Sequence, residues 1–295
     1  MPIVLDVQKL EFSGSVKKLL KEKLDSSLFE TAQKNSRKIN VYKIKYLSQG
    51  HAVVGFIIEP KKSGVFPCII YSRGGSNDFG AIVMGKLFIS LAKFALWDYI
   101  LIASQYSGCG GSEGTDTFGG PEIEDVLNLY KILKGYSKAD HKRVGMYDGS
   151  RGGMMTYLAL AKVKWIRVAV TIAGTADEVG APKFRKGWAE HQRKMYGGSM
   201  AEKRKRSAVL WADKFSKKTP LLLMHGTADW RVNPLDSINL AKELYKNKVP
   251  FRLIIFEGAD HSLSEFPKEK DSYTKFWFDK YLKEATQINL KPHGN

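Results

Sequence analysis

Cysteine is almost missing from this chain. Cys68 and Cys109 are the only two in 295 residues, too few for a disulfide framework and without the paired spacing of a zinc site. Long apolar runs are missing as well, none reaching the ~20 residues that a helix needs to cross a bilayer, so no membrane span is expected. Residues 1–12 alternate acidic, basic and apolar side chains and lack the basic start and apolar core of a secretory signal. A soluble cytoplasmic protein is therefore the expectation. Negative charge is scarce: 30 Asp and Glu stand against 47 Lys and Arg, a formal net charge of +17. That balance permits an acidic partner, but no nucleic-acid motif or aromatic stacking pattern accompanies it, and nucleic acid is not expected. Residues 105–114 are rich in glycine, yet Glu113 stands where the third glycine of Gly-x-Gly-x-x-Gly would fall, and no Gly-Lys-Ser/Thr follows. Repeats and low-complexity tracts are absent. Nothing in the pattern implies a metal or an organic cofactor.

What is present is enough apolar residue, 43%, for a full core, arranged in alternating short runs. Residues 14–33 carry Val16, Leu20, Leu24 and Leu28 at four-residue spacing and read as a helix. Val41–Tyr46 and Val53–Ile58 flank Ser48-Gln49-Gly50 and read as a hairpin. Apolar strands are expected at 65–71, 99–104, 144–147, 166–172, 221–224 and 251–256. Helices are expected at 82–95, 121–134, after residue 150, and at 235–247 and 270–284. Strands alternating with helices imply parallel β-α-β units: an α/β fold with a doubly wound, mostly parallel sheet. Residues 176–218 break this rhythm with twelve Lys and Arg against five Asp and Glu, and read as a basic helical cap insertion. The expected division is an N-terminal helical extension, 1–38, and one domain, 39–295.

One stretch organises the rest. Val144–Tyr147 reads as a buried strand, Met154 to Leu160 as a helix, and Ser150 sits among glycines between them. That strand–turn–helix context is what a nucleophile elbow needs. Gly152 closes the Gly-x-Ser-x-Gly pattern, but Asp148 occupies its first position, with Gly149 between. A side chain there strains the turn, and its charge would disfavour an oxyanion. A serine hydroxyl needs a base, and the base an orienting carboxylate. After the 221–224 strand comes His225-Gly226-Thr227-Ala228-Asp229, and after the 251–256 strand comes Gly258-Ala259-Asp260-His261. Ser, Asp and His follow in the order used by α/β-hydrolases, each beyond a strand end. The oxyanion donors are expected to be the backbone N–H of Arg151 and that of Gly74, where glycine allows close approach. His225 reads as fixing its turn. His51, His141, His191 and His293 have no partner pattern, and Ser15/Lys18 and Ser90/Lys93 lack the companions of a Ser-x-x-Lys enzyme.

These pieces carry a resemblance. Tyr71-Ser72-Arg73-Gly74-Gly75, Ala103-Ser104-Gln105-Tyr106 with Gly110-Gly111-Ser112-Glu113-Gly114, Ser150-Arg151-Gly152-Gly153, and the Asp229 and His261 blocks resemble the catalytic domain of prolyl oligopeptidase-like serine hydrolases of the α/β-hydrolase superfamily. The resemblance implies Ser150 as nucleophile, His261 as general base then acid, and Asp229 as orienter. Arg73 stands where larger relatives carry an oxyanion tyrosine, and is a candidate for a substrate carboxylate or for a structural pairing. Tyr106 and Trp230 are further candidates for the pocket wall. The chain has no room for the relatives' β-propeller, so a small acyl ester and a short peptide are both open as substrates. Two functions are carried forward: a serine hydrolase, esterase or peptidase, and a catalytically weakened relative whose basic cap binds an acidic partner. The oligomeric state is not legible.

Overall fold

A computed structural model describes residues 4–288; His293 lies outside the described residues. The chain opens with β1 (Val4–Lys9), α1 (Gly14–Lys23), α2 (Ser26–Ser36), β2 (Ile39–Ser48) and β3 (His51–Pro60). Next come β4 (Phe66–Ser72), α3 (Met84–Phe88), α4 (Ala92–Leu96), β5 (Ile100–Ser104), α5 (Ile123–Gly135), β6 (Ala139–Gly149) and α6 (Arg151–Lys162). The remainder is β7 (Ile166–Ile172), α7 (Ala181–Phe184), α8 (Trp188–Tyr196), α9 (Met200–Lys205), β8 (Leu221–Gly226), α10 (Pro234–Lys246), β9 (Phe251–Phe256) and α11 (Pro267–Phe278). Among the described residues nine strands, mostly parallel and alternating with helices, make the α/β architecture that the apolar runs predict.

The chain folds as two compact units. The first runs to Asp116 and takes in Glu124–Lys142. Its strands follow the order β1-β2-β3-β5-β4, antiparallel as far as β5 and parallel between β5 and β4. The predicted hairpin is there: Ser48 pairs with His51 around Gln49 and Gly50, whose φ values of 51° and 85° are those of a tight turn matching strand twist. β4 is buried throughout, as a continuous apolar run requires.

The second unit takes Thr117–Ile123 and the chain from Arg143. Here β6, β7, β8 and β9 lie side by side, all parallel. Parallel neighbours need crossovers. α6 joins β6 to β7, α10 joins β8 to β9, and the basic segment with α7, α8 and α9 joins β7 to β8. Because the four strands point the same way, the loops after β6, β8 and β9 leave from one edge, and ligands bind at such carboxyl edges.

Several boundaries differ from the sequence reading. β1 precedes the N-terminal helices and pairs with β2; its exposure on both faces leaves no burial pattern to read. The single helix expected at 14–33 is two, because Asp25 accepts from the Leu28 N–H and caps a second start. The helix expected at 82–95 is also two. Leu91 N–H reaches back five residues to Lys86 O, and the i→i−4 ladder is lost there.

Candidate active site

β6 ends at Gly149 and α6 begins at Arg151, so Ser150 stands alone at the corner, with φ 59° and ψ −128°. That backbone conformation costs a non-glycine residue about 1–3 kcal/mol and persists only where neighbours over-determine it. They do. Ser150 N donates to Ile172 O at 2.9 Å, and Ser150 O accepts from Gly153 N at 2.9 Å and Thr175 N at 3.1 Å. The helix start lies against the end of β7, where a Cβ on Gly153 would collide with the backbone of Gly174. The side chain of Ser150 is left partly exposed at the carboxyl edge.

Asp148 is held where burial opposes the charge that its position suggests. It is 1% exposed, and neither carboxyl oxygen has a hydrogen-bond partner among the described residues. Burial pushes the carboxyl well above the usual carboxylate range, only partly opposed by the nearby Thr156 hydroxyl. Burial thus disfavours the charged form at this position. Asp148→Asn, which keeps the shape without an ionisable proton, should therefore leave kcat/KM at pH 7–8 within about threefold of wild type. A gain of tenfold or more would mean that the group is ionised.

The loops after β8 and β9 meet. A Cβ on Gly226 would collide with the Ala259 carbonyl oxygen, Ala228 N donates to Ala259 O at 3.0 Å, and Gly258 N donates to Thr227 Oγ1 at 2.8 Å. This brings Asp229 and His261 together: His261 Nδ1 donates to Asp229 Oδ2 at 2.7 Å. The same oxygen accepts from His225 Nε2 at 3.0 Å, while Oδ1 accepts from Arg231 N at 2.8 Å and Val232 N at 3.1 Å. Four donors converge on one carboxylate. Burial alone would raise its pKa, but the bonds from His225, His261 and Val232 overcome that and hold Asp229 well below the usual range. His225 is fully buried, with Nε2 also 3.2 Å from Val232 O. Facing two acceptors, Nε2 carries the proton, and Nδ1 accepts from Ser237 Oγ at 2.7 Å. His225 thus braces the turn, as its place at a strand end suggests, and orients Asp229 besides.

Other candidates take different places. Arg151 lies at the first position of α6, and its side chain is buried in an ion pair with Glu122 at 2.8 Å. Gly74 follows β4 in the first unit, in a loop gathered around Arg73. The Arg73 guanidinium is fully buried and donates to the carbonyls of Gln105 (2.9 Å), Gly74 (3.1 Å), Phe79 (3.2 Å) and Asn77 (2.7 Å). A guanidinium so engaged clamps its own loop; its partners are carbonyls, not the carboxylate that residue type suggests. Tyr106 is buried beneath it, with its hydroxyl on Arg73 O at 2.9 Å. Trp230 is 63% exposed beside Asp229.

Two buried acids in the same unit escape sequence reading. Glu178 and Asp236 look like ordinary surface acids, the latter a first-turn helix acid; no local signal marks their burial. Asp236 Oδ2 accepts from the backbone N–H groups of Ala176 (2.9 Å) and Asp177 (3.0 Å). Burial, reinforced by the charges of Asp177 and Glu178 and opposed by those two bonds, pushes its carboxyl up to about 7. Between its ordinary value near 4 and that value, the folded state binds more protons than the unfolded one, so stability falls as pH rises across the window. Asp236→Asn keeps an acceptor for both N–H groups and removes the ionisation. It should gain about 1–3 kcal/mol at pH 8, with the gain disappearing near pH 4; urea unfolding at the two pH values measures it.

Among the described residues no group of three or more His, Cys, Asp or Glu is arranged to hold a metal ion, and no helix is long and apolar enough to cross a membrane.

With this geometry in place, comparison with known proteins is informative. The sequence model of the prolyl oligopeptidase family matches residues 89–285. An uncharacterized peptidase of Bacillus subtilis, YtmA, is 26% identical over 239 residues, 79% of this chain and 90% of its own length. The acylamino-acid-releasing enzyme of Mus musculus is 25% identical over 243 residues, 76% of this chain but only 32% of that longer protein. Among solved structures, the uncomplexed acylaminoacyl peptidase of Pyrococcus horikoshii superposes with a TM-score of 0.72 at 20% identity, over 92% of this chain and 45% of that one. A puromycin-hydrolyzing peptidase of Mycobacterium tuberculosis gives 0.69 at 17% identity, over 87% and 47%. These two establish the likeness of fold.

Proposed function

The chain belongs to the prolyl oligopeptidase family and is a serine hydrolase of the peptidase class; from that premise we propose that it hydrolyses short peptide or amino-acyl amides through Ser150, His261 and Asp229. The observation that carries this reading is the short bond from His261 Nδ1 to a carboxylate already held by three other donors. It fixes the imidazole tautomer and leaves Nε2 as the base. The strained corner at Ser150, on the same strand-end edge, is the complementary support.

In this reaction Ser150 Oγ attacks the carbonyl carbon while its proton passes to His261 Nε2. The carbonyl oxygen becomes an oxyanion, held by the backbone N–H of Arg151. Asp229 stabilises the imidazolium. The C=O bond re-forms, the C–N bond breaks, and the imidazolium gives its proton to the departing nitrogen. Water, deprotonated by His261, then attacks the acyl-enzyme. The bond to Ser150 Oγ breaks, the serine recovers a proton, and a carboxylic acid leaves. The same steps cleave an activated ester with an alcohol as leaving group. A binding module weakened by Asp148 has less support, since that carboxyl is buried where its charged form is disfavoured.

The test is covalent labelling by a fluorophosphonate, with the adduct located by mass spectrometry. The expected adduct is on Ser150. An unlabelled protein, or an adduct on another serine, would overturn the assignment.

A further inference from the structure

Two guanidiniums stand against one exposed tryptophan next to Asp229. Trp230 follows Asp229 directly and is 63% exposed. The Arg231 guanidinium lies 4.9 Å from the centre of its ring, and that of Arg185, at the end of α7, lies 5.6 Å from it. Arg185 also packs over Trp188 at 4.4 Å. The cluster adjoins the candidate site within the second unit. Arg231 N donates to Asp229 Oδ1 at 2.8 Å. Trp188 and Arg231 wall one small depression with Thr175, whose N–H is bonded to Ser150 O at 3.1 Å.

Arg185 is the informative member. Its side chain is half-buried, yet it touches only those two aromatic faces. Among the described residues no hydrogen bond or ion pair reaches its five N–H donors. Aromatic rings cover the flat faces of a guanidinium and leave its edge, where the donors point, open to a ligand. Burial and the charge of Arg231 lower the Arg185 pKa, against the pull of Asp229 and Glu178. The two like charges are therefore close enough to repel. A carboxylate, planar and with two acceptor oxygens, would fill the open donors and relieve that repulsion.

The surroundings favour such an anion. Lys183 and Lys186 flank Arg185 and are exposed, in the segment that carries twelve Lys and Arg against five Asp and Glu. Two acids act in the opposite sense. Burial disfavours the charged form of Glu178. Asp229 keeps its charge, but four donors already occupy its oxygens, and one carboxylate against two guanidiniums leaves the cluster net positive. The exposed lysines are screened by water and attract anions of any shape. A guanidinium held by ring faces instead presents a fixed fork that matches a carboxylate, and so can select.

We infer that Arg185, with Arg231 as the second guanidinium, selects a substrate bearing a carboxylate within one residue of the scissile bond. The inference rests on the serine-hydrolase reading and names its substrate class. The carboxylate has two possible sources, an acidic side chain on the acyl side or an acid on the leaving group, and separate substrates distinguish them.

The experiment compares kcat/KM of the full chain for three anilides. Nα-acetyl-glutamine 4-nitroanilide is the neutral reference. Nα-acetyl-glutamate 4-nitroanilide places a carboxylate on the acyl side, and the 3-carboxy-4-nitroanilide of Nα-acetyl-glutamine places one on the leaving group. One of the two charged substrates should exceed the reference by about tenfold or more, and which one does so assigns the source. In Arg185→Gln that ratio should fall below about threefold, with fluorophosphonate labelling of Ser150 reporting that the variant is folded. Arg185→Met, which keeps the apolar stem, should show the same fall. Equal rates for all three substrates, or an unchanged ratio in either labelled variant, would overturn the inference. Turnover of none while Ser150 is labelled would also overturn it. An unlabelled wild type would remove the hydrolase reading itself, and this inference with it.

Discussion

Ser150→Ala should lower kcat/KM for an amide substrate by about 10⁴–10⁶-fold and leave the protein folded. The size of the effect follows from the chemistry: without Oγ there is no acyl-enzyme, and only the residual help of the oxyanion donors and of binding remains. Stability should change by less than about 1 kcal/mol. The bonds that hold the corner come from the backbone of residue 150 to Ile172, Gly153 and Thr175, and alanine meets the same positive φ that serine already adopts. The measurement is turnover of an amino-acyl nitroanilide together with a thermal melt. A variant that keeps more than about a hundredth of wild-type activity would place the nucleophile elsewhere.

Asp229→Asn should be nearly as damaging, for a reason specific to this site. Each oxygen of Asp229 faces two donors: His261 Nδ1 and His225 Nε2 on Oδ2, and the backbone N–H groups of Arg231 and Val232 on Oδ1. An asparagine has one oxygen. Its NH₂ must face a donor pair, so either the two histidines or the turn lose their acceptor. If the histidines lose it, His261 is no longer held in the tautomer that leaves Nε2 free, and kcat should fall by about 10⁴-fold. Stability should fall as well, by about 1–3 kcal/mol, because buried donors are left unpaired. The pH dependence gives a second readout. A carboxyl whose folded pKa lies below its unfolded value stabilises the fold above the unfolded value, near pH 4, and that contribution disappears as pH falls through the folded one. The stability gap between wild type and Asp229→Asn should therefore be full at pH 7 and narrow in strong acid. Urea titrations at pH 7 and pH 3 measure it. A pH-independent gap would mean that Asp229 is not ionised in the way its partners require.

Much of this was legible because the relevant signals are local. β7 and β9 coincide with their apolar runs at 166–172 and 251–256; for β7, nearly all of it buried, this is what a strand covered on both faces requires. Ser150, Asp229 and His261 could be named because each follows such a strand, and parallel connections send those loops to one edge. Where the signal was not local, the reading differed from the structure. β1 is exposed along its length and shows no period. By residue type Arg73 suits either a substrate carboxylate or a structural pairing, and no pattern along the chain shows that its guanidinium lies buried among four carbonyls. Asp148 looks like an unwelcome charge, but burial disfavours that charge.

The sequence by itself determined the alternation of strand and helix, the order of serine, acid and histidine, and the sharp turn that only small neighbours allow. These depend on the period of apolar residues and on steric rules within a few residues of chain. The tertiary structure alone decided which polar groups are buried and what they face. It set His225 as a second donor to Asp229, paired Glu122 with Arg151, and left one buried oxygen of Glu178 without a hydrogen-bond partner among the described residues. Those facts depend on the dielectric and on hydrogen-bond partners that folding brings together, some of them well separated along the chain, as Glu122 and Arg151 are at 29 residues and Asp229 and His261 at 32. No pattern along the chain encodes that convergence, because burial belongs to the folded arrangement and not to the residue.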